Sequence, residues 1–105
     1  MKAILISVHN QTVTQIDIEG GLDSIYKSIG CHTIEAVHTY VLQGGDIIYV
    51  DEEGLLKEEP GPFFQINGFH QPLAGNGLVL GTDEEGDSCD AETPVAVIMD
   101  AVEFL

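Results

Sequence analysis

Two apolar, β-type segments of this chain run into the same acidic tetrapeptide, and this repeat constrains the fold more than any other feature. Residues 47–50 (Ile-Ile-Tyr-Val) lead into residues 51–54, and residues 78–82 (Leu-Val-Leu-Gly-Thr) lead into residues 83–86, each time as Asp-Glu-Glu-Gly. A short apolar run followed by a glycine-containing polar turn is typical of a buried strand that ends at a loop. The sequence therefore predicts a sheet whose strand ends carry clustered carboxylates, where loops present function.

Alternating apolar and polar residues predict two antiparallel hairpins in the first half of the chain. Residues 2–8 are rich in β-branched and apolar side chains, and residues 12–18 alternate cleanly across a polar turn, so these two segments predict the first hairpin. Residues 33–42 and 47–50 predict the second hairpin, with its turn at residues 43–46.

Two other segments carry helix signals. Leu22, Ile25, Tyr26 and Ile29 follow the i, i+3, i+4, i+7 spacing of one buried stripe, which predicts a helix over residues 21–29 with a stop at Gly30. Thr93 and Pro94 match a helix N-cap followed by proline at the first helical position. They predict a second helix over residues 95–105, although the β-branched residues in that segment leave a strand as the alternative.

The middle of the chain is less regular. Gly61 and the neighbouring prolines are expected to keep residues 54–72 out of ladder pairing, while Phe63, Phe64 and Ile66 are expected to be buried. The pattern as a whole predicts a single α+β domain over residues 1–105. It contains a mostly antiparallel sheet of four to six strands, two of its hairpins in the N-terminal half, and two short helices.

The charge of the chain is strongly negative and unevenly distributed. Eighteen acidic residues face three lysines and no arginine, which gives a net charge of −15. The first 50 residues carry five of the acids and two of the lysines, so the excess lies in residues 51–105. The electrostatic field of such a charge repels phosphate backbones and anionic membranes. The sequence also has few of the cations that phosphoryl transfer uses. The same field attracts basic protein surfaces, although solubility alone also explains acidity.

Other features of the sequence bound the class of protein. The first ten residues lack the apolar core of a signal peptide, and no segment approaches the length of a membrane span, so we expect a cytoplasmic protein. Cys31 and Cys89 do not form a disulfide framework, and we expect reduced thiols. The acidic surroundings of Cys89 predict a raised thiol pKa, which argues against a nucleophile.

The acidic clusters are the candidate partner-binding residues. They are Asp51, Glu52, Glu53, Glu58, Glu59, Asp83, Glu84, Glu85 and Asp87. The clusters share one end of the sheet if the preceding strands are parallel neighbours, and they lie at opposite ends if those strands are antiparallel. On a shared face they would bind a basic surface of a partner, as a mimic of nucleic-acid phosphates acting on a host protein. The simpler interpretation is two solvated turns in which Gly54 and Gly86 supply positive φ.

A small-molecule or divalent-cation site in the same loops is the alternative. Clustered carboxylates suit Ca²⁺ or Mg²⁺, but residues 83–87 lack the every-second-residue ligand spacing of an EF-hand loop. The glycines at 75, 77 and 81 precede a strand instead of following one, so they do not match a dinucleotide fingerprint. No combination of serine, histidine and cysteine forms a recognisable catalytic or metal-binding motif, and we assign no cofactor, metal or catalytic residue.

Most of the chain resembles a family of small domains of unknown function, of the 3846 type, which phages, prophages, plasmids and host genomes carry. The resemblance rests on the opening strand, on residues 22–37, on residues 50–56 (Val-Asp-Glu-Glu-Gly-Leu-Leu), and on residues 73–87. It departs at Asp51, where many relatives carry Asn, and in residues 60–69, which look like an insertion particular to this chain. The resemblance implies a mobile-element or bacterial cytoplasmic setting and a host-interacting accessory role, and it implies no catalytic residue.

Overall fold

The computed structural model describes residues 1–57, 59 and 61–105 and has the α+β architecture that the sequence predicts. Two helices, a 3-10 turn and nine strands occur in these residues. They are β1 (Lys2–Ser7), β2 (Thr12–Asp17), α1 (Leu22–Ile29), β3 (Ile34–Val37), β4 (Ile47–Asp51), the 3-10 turn (Gly54–Leu56), β5 (Phe63–Ile66), β6 (Leu73–Ala74), β7 (Gly77–Thr82), β8 (Ser88–Cys89), α2 (Val95–Ala101) and β9 (Val102–Phe104).

The strands form two antiparallel sheets. The main sheet has the order β2-β1-β7-β4-β3, with β8 pairing the end of β7, and the small sheet has the order β6-β5-β9. Both predicted hairpins are confirmed, since β1 pairs with β2 and β3 pairs with β4. Strand β7 lies between β1 and β4, so five of its six residues are buried and its apolar run fills both faces of the sheet.

Alternation along the strands divides the apolar residues between two layers. On one face Ala3, Leu78 and Leu80 pack against Ile25 and Ile29 of α1. On the other face Ile4, Ile6, Ile48 and Val79 pack with Phe64, Ile66 and Ile98, which come from the small sheet and α2. The main sheet is therefore the central layer. Because α1 has only eight residues, about 12 Å of helix, it covers its face of the sheet incompletely.

Three segment predictions need correction. The strand predicted over residues 33–42 ends at Val37, because the Thr39 hydroxyl accepts a hydrogen bond from the Val41 amide at 3.2 Å and starts a turn. Residues 63–66 do join a ladder, as β5, beyond the cis peptide bond between Gly61 and Pro62. Phe64 and Ile66 are buried as predicted, and Phe63 is half-buried.

The C-terminal segment is both helix and strand. Residues 95–101 form α2, but Val102, Glu103 and Phe104 leave the helix and pair with Ile66, Gln65 and Phe64 of β5. The prediction of a helix over residues 95–105 was therefore wrong for residues 102–104, which pair with β5 instead of continuing the helix. Thr93 is not the N-cap either, because Pro94 takes that position and no side chain caps the helix. Neither helix in the described part of the chain is long and apolar enough to cross a membrane.

Candidate functional site

The two acidic tetrapeptides lie at opposite ends of the main sheet. Strands β4 and β7 are antiparallel neighbours, with Ile47 opposite Leu80 and Tyr49 opposite Leu78. Extending this register places Asp51 beside the start of β7 and Thr82 beside the start of β4. The two strand ends are about 20 Å apart, because six residues at the usual strand rise separate them. The structure therefore does not bring the nine predicted residues together on one face.

The first cluster directs its leading carboxylate inward. Asp51 accepts a hydrogen bond from the Glu53 amide at 2.9 Å and forms an ion pair with Lys57 at 2.9 Å, and its side chain is only 7% exposed. The hydrogen bond from Lys57 to Asp51 raises the pKa of the lysine. Glu52, Glu53 and Glu59 are exposed, while Glu58 lies outside the described residues. Lys57, whose side chain is 56% exposed, therefore neutralises one carboxylate at this end.

Gly54 follows the first cluster but does not supply positive φ, which corrects one expectation for the turns. A Cβ at this position would lie 3.0 Å from the Ala74 carbonyl oxygen, so any larger residue would require β6 to move by a few tenths of an ångström. Gly86 does have positive φ, at 85°, as predicted.

The second cluster forms the loop of the β7–β8 hairpin. The Asp83 carboxylate accepts hydrogen bonds from the Glu85 and Asp87 amides, both at 2.9 Å, and the Gly86 amide bonds to the Asp83 carbonyl at 3.0 Å. Asp83 therefore closes the turn, as Asp51 does at the other end. Glu84, Glu85 and Asp87 make no described ion pair and are exposed, so they extend the charge of the hairpin loop into solvent.

Further carboxylates join the second cluster because several chain segments end at the same edge. Lys2 lies opposite Asp17 in the β1–β2 pair, and its amide donates to the Asp90 carboxylate at 2.8 Å. Gly21 and Leu22 line a groove together with Gly86 and Asp87, which brings the start of α1 to this end. We call this region the acidic end; its exposed carboxylates are Asp17, Glu19, Asp23, Asp83, Glu84, Glu85, Asp87, Asp90 and Glu92.

Five of these carboxylates were not among the predicted site residues. Asp17, Glu19 and Asp23 come from the first half of the chain, where acids are sparse. Their position depends on strand pairing. The predicted β1–β2 hairpin brings the end of β2 back to the start of β1, and the β1–β7 pairing then places the start of β1 beside the β7–β8 loop. The cations at the acidic end are Lys2, Lys27 and the N-terminal ammonium group. Lys27 lines a shallow groove together with Glu19, and the ammonium group donates to the Ile18 carbonyl at 2.9 Å.

A buried carboxylate anchors the acidic end to the sheet. Asp46 is fully buried and accepts hydrogen bonds from the Glu92 amide at 3.0 Å, the Thr93 amide at 2.7 Å and the Thr93 hydroxyl at 2.7 Å. The Thr93 oxygen in turn accepts from the Gln43 amide at 2.8 Å. Thr93 thus serves this network and not the helix N-cap, and the network fixes residues 90–93 against the turn before β4.

Salt should stabilise the domain, because its like charges repel one another in the folded state. We expect the melting temperature at neutral pH to rise by about 3–5 °C between ~0.01 and ~0.15 M NaCl, since the Debye length falls from about 30 to about 8 Å. Thermal unfolding followed by circular dichroism measures this shift. A fall in melting temperature over the same range would show that specific ion pairs outweigh the repulsion.

Both cysteines are in surroundings that disfavour the thiolate. Burial raises the pKa of the Cys89 thiol, as do the nearby carboxylates of Asp83, Glu92, Asp46 and Asp90, so the predicted direction is confirmed. Burial and the Asp51 carboxylate raise the pKa of Cys31. Both cysteines are free thiols, as predicted.

Slow alkylation of both thiols follows from these pKa directions. At pH ~7.5 we expect iodoacetamide to modify the folded protein at least about 5-fold more slowly than free cysteine, because the thiolate is the reactive form. Mass spectrometry over time measures the rate, and denatured protein serves as the control that restores the free-cysteine rate. A folded cysteine that reacts faster than free cysteine would contradict the described surroundings.

Metal ligation has no ready site in the described residues. No group of three histidine, cysteine, aspartate or glutamate side chains among them is arranged to hold a metal ion. The carboxylates of Asp46, Asp51 and Asp83 are directed to amides, to a hydroxyl or to Lys57, which leaves the exposed acids as the accessible oxygens.

The fold is that of a small α+β domain, and one end of its main sheet is rich in exposed carboxylates. A family model described as a domain of unknown function (DUF3846) matches residues 1–102, and the chain belongs to this family. The resemblance stated from the sequence is thereby confirmed for nearly the whole chain. Searches of curated proteins and of solved structures found no match.

Proposed function

We propose that this protein is a non-enzymatic interaction domain that binds a basic surface of a partner protein through the acidic end. The single observation that carries the proposal is the convergence of nine exposed carboxylates on one end of the sheet. Three cations, Lys2, Lys27 and the N-terminal ammonium group, accompany them. A surface with a large excess of one charge attracts a surface of the opposite charge and speeds their encounter.

The two ends of the sheet are not equivalent in this proposal. Lys57 neutralises Asp51, and the described part of residues 51–59 exposes three further carboxylates against nine at the acidic end, so its field is the weaker. Glu52, Glu53 and Glu59 are exposed there but lie about 20 Å away along the strands, more than two Debye lengths at physiological salt. Of the nine residues first predicted, Asp83, Glu84, Glu85 and Asp87 therefore belong to the proposed surface.

A protein that handles nucleic acids is the partner class we propose. Such proteins carry lysine and arginine surfaces that replace counterions around phosphates, and a cluster of carboxylates competes for the same surfaces. This role agrees with a host-interacting accessory protein in a bacterial or mobile-element cytoplasm, the setting that the sequence resemblance implied. Under this proposal the protein itself binds neither nucleic acid nor membrane, because its field repels both.

Affinity capture with two kinds of elution tests the proposal. Immobilised protein is incubated with bacterial lysate at ~0.05 M NaCl, and bound proteins are released with ~1 M NaCl or with excess duplex DNA. We expect basic nucleic-acid-binding proteins in both eluates, because screening at 1 M salt shortens the Debye length to about 3 Å. A partner that stays bound at 1 M salt contradicts the charge-based surface, and a partner that DNA fails to release contradicts the mimic role.

Thermal-shift measurements separate this function from the alternative of a small-molecule or divalent-cation site. A ligand at 100 times its dissociation constant stabilises the native state by about 2.7 kcal/mol, which raises the melting temperature by several degrees. Under the proposed function, Ca²⁺, Mg²⁺ and nucleotides at constant ionic strength leave the melting temperature within about 1 °C of its starting value. A specific upward shift with one of them would favour the alternative.

A further inference from the structure

We infer that a groove at the acidic end receives a single long basic side chain, lysine or arginine, from the partner. The groove lies between the start of α1 and the segment that follows the hairpin turn of residues 83–86. This inference rests on the proposed function and adds to it the chemical group that the surface recognises.

The groove has an apolar floor. Met1, Leu22, Ile25 and Tyr49 line it, and its volume is about 350 Å³. Pockets for drug-sized ligands span roughly 300–1,000 Å³, so this groove is at the small end and suits one extended side chain. Leu22 is 58% exposed and Tyr49 is half-buried, which leaves apolar surface at the start of α1 for a partner to cover.

The rim of the groove is negatively charged. Asp87 lines it directly, and Glu84 and Glu85 are exposed in the adjoining turn. Two features oppose this charge: the N-terminus of α1 has no side-chain cap, and the Met1 ammonium group is nearby. A helix N-terminus counts for roughly half an elementary charge. Together with the full charge of the ammonium group it gives about one and a half positive charges, which the three negative charges of Glu84, Glu85 and Asp87 outweigh.

This combination of floor and rim matches a lysine or arginine side chain better than a purely apolar or purely charged group. Such side chains bury their aliphatic stem along apolar surface and keep the charged head in water near carboxylates. The Tyr49 ring adds a face to which a cation is attracted. An apolar side chain would leave the rim without a partner, and a short cation would leave the floor exposed.

Two peptides of equal charge test the role of the stem. Hexalysine is compared with the hexamer of 2,4-diaminobutyric acid, whose side chain is two methylene groups shorter, by calorimetry at ~0.05 M NaCl. We expect hexalysine to bind about 5- to 10-fold more tightly, because each buried methylene strengthens apolar contact. In nuclear magnetic resonance titrations, hexalysine should shift the amide signals of Gly21, Ile25, Tyr49 and Ser88.

Substitutions in the groove are paired with matched controls. Leu22→Ser should weaken hexalysine binding about 3- to 10-fold by removing part of the apolar floor, whereas Leu56→Ser, at an 82% exposed leucine of the opposite end, should change it less than about 2-fold. Asp87→Asn should weaken binding more than Glu84→Gln, although each removes one charge from the same loop. Both pairs change exposed side chains, and melting temperatures verify that the variants fold.

The possible failures distinguish this inference from the proposed function. If both hexamers bind with equal, salt-sensitive affinity and Leu22→Ser behaves like Leu56→Ser, the groove is not used, and the acidic end acts by charge alone. If neither peptide binds at ~0.05 M NaCl, the proposed function is wrong and the groove inference fails with it. Shifts confined to residues 51–59 would likewise contradict both.

Discussion

Asp46→Ala is expected to lower the free energy of unfolding by about 3–5 kcal/mol, because it removes a buried acceptor and leaves its donors without partners. The Glu92 amide, the Thr93 amide and the Thr93 hydroxyl all donate to this carboxylate. A domain of this size has a total stability of about 5–15 kcal/mol, so the loss amounts to about 15–30 °C in melting temperature. Urea unfolding followed by circular dichroism measures it.

Two further variants make this result specific. Asp100→Ala removes an exposed carboxylate on α2 and should stay within about 0.5 kcal/mol of the parent. Asp46→Asn keeps the side-chain volume but places an NH₂ donor against the amide and hydroxyl donors that the carboxylate accepts from. We expect a loss of about 2 kcal/mol in the free energy of unfolding. If Asp46→Ala costs no more than Asp100→Ala, the carboxylate does not anchor residues 90–93, and the described network is wrong.

Gly81→Ala is expected to cost about 3 kcal/mol, because the added methyl group meets backbone that cannot move independently. A Cβ at Gly81 would lie 2.5 Å from the Asp90 carbonyl oxygen and 2.9 Å from Cys89 Sγ. It would also approach the Asp46 carboxylate at 3.3 Å. The substitution would therefore push β8 away from β7 and displace the hairpin loop that carries Glu84, Glu85 and Asp87.

Gly30→Ala provides the matched glycine control. Gly30 has a φ of 82° and a Cβ there would meet nothing within 4 Å, so only backbone strain, about 1–2 kcal/mol, opposes the change. The difference between the two variants isolates the steric conflict at Gly81. Equal losses in the two variants would mean that β8 can shift freely, and that the close contact between β7 and β8 is not needed for the fold.

Local patterns predicted the hairpins and α1 because their determinants lie within a few residues of one another. Alternation at residues 12–17 sets the face that β2 buries, and the spacing of Ile25 and Ile29 sets the buried side of α1. The fold class followed from these elements. The direction of the Cys89 pKa shift was also predictable: burial is its largest cause, and three of the four carboxylates that add to it, Asp83, Asp90 and Glu92, are close to Cys89 in the sequence.

The position of the carboxylates depended on pairings between distant residues. Only the antiparallel β4–β7 register, which joins residues 47–49 to residues 78–80, decides that the tetrapeptides lie apart. Strand β9 likewise forms because Val102–Phe104 meets β5, almost forty residues earlier in the chain. Tertiary pairing therefore prevailed over the helix preference there. The β-branched residues of the segment allowed a strand, but they did not indicate its partner or where the helix ends.

Individual acidic residues also have structural roles that cannot be predicted from the composition. Asp51 binds Lys57, Asp83 closes its own turn, and Asp46 is fully buried, although each looks like an ordinary turn residue in the sequence. A carboxylate's role depends on which amides or cations surround it after folding, so clustering in sequence overestimated the charge available at the first tetrapeptide. The same clustering in the sequence underestimated the number of carboxylates at the acidic end.

A comparison of two triple variants tests most directly whether the acidic end is the binding surface. One variant combines Glu84→Gln, Glu85→Gln and Asp87→Asn, and the other combines Glu52→Gln, Glu53→Gln and Glu59→Gln, so each removes three exposed carboxylates from one end. Calorimetric affinity for hexalysine at ~0.05 M NaCl is the readout. We predict a loss of about 10-fold or more for the first variant and less than about 2-fold for the second, because exposed charges act over roughly a Debye length. Equal losses in the two variants would contradict the account, because binding would then follow net charge and not the carboxylates gathered at one end of the sheet.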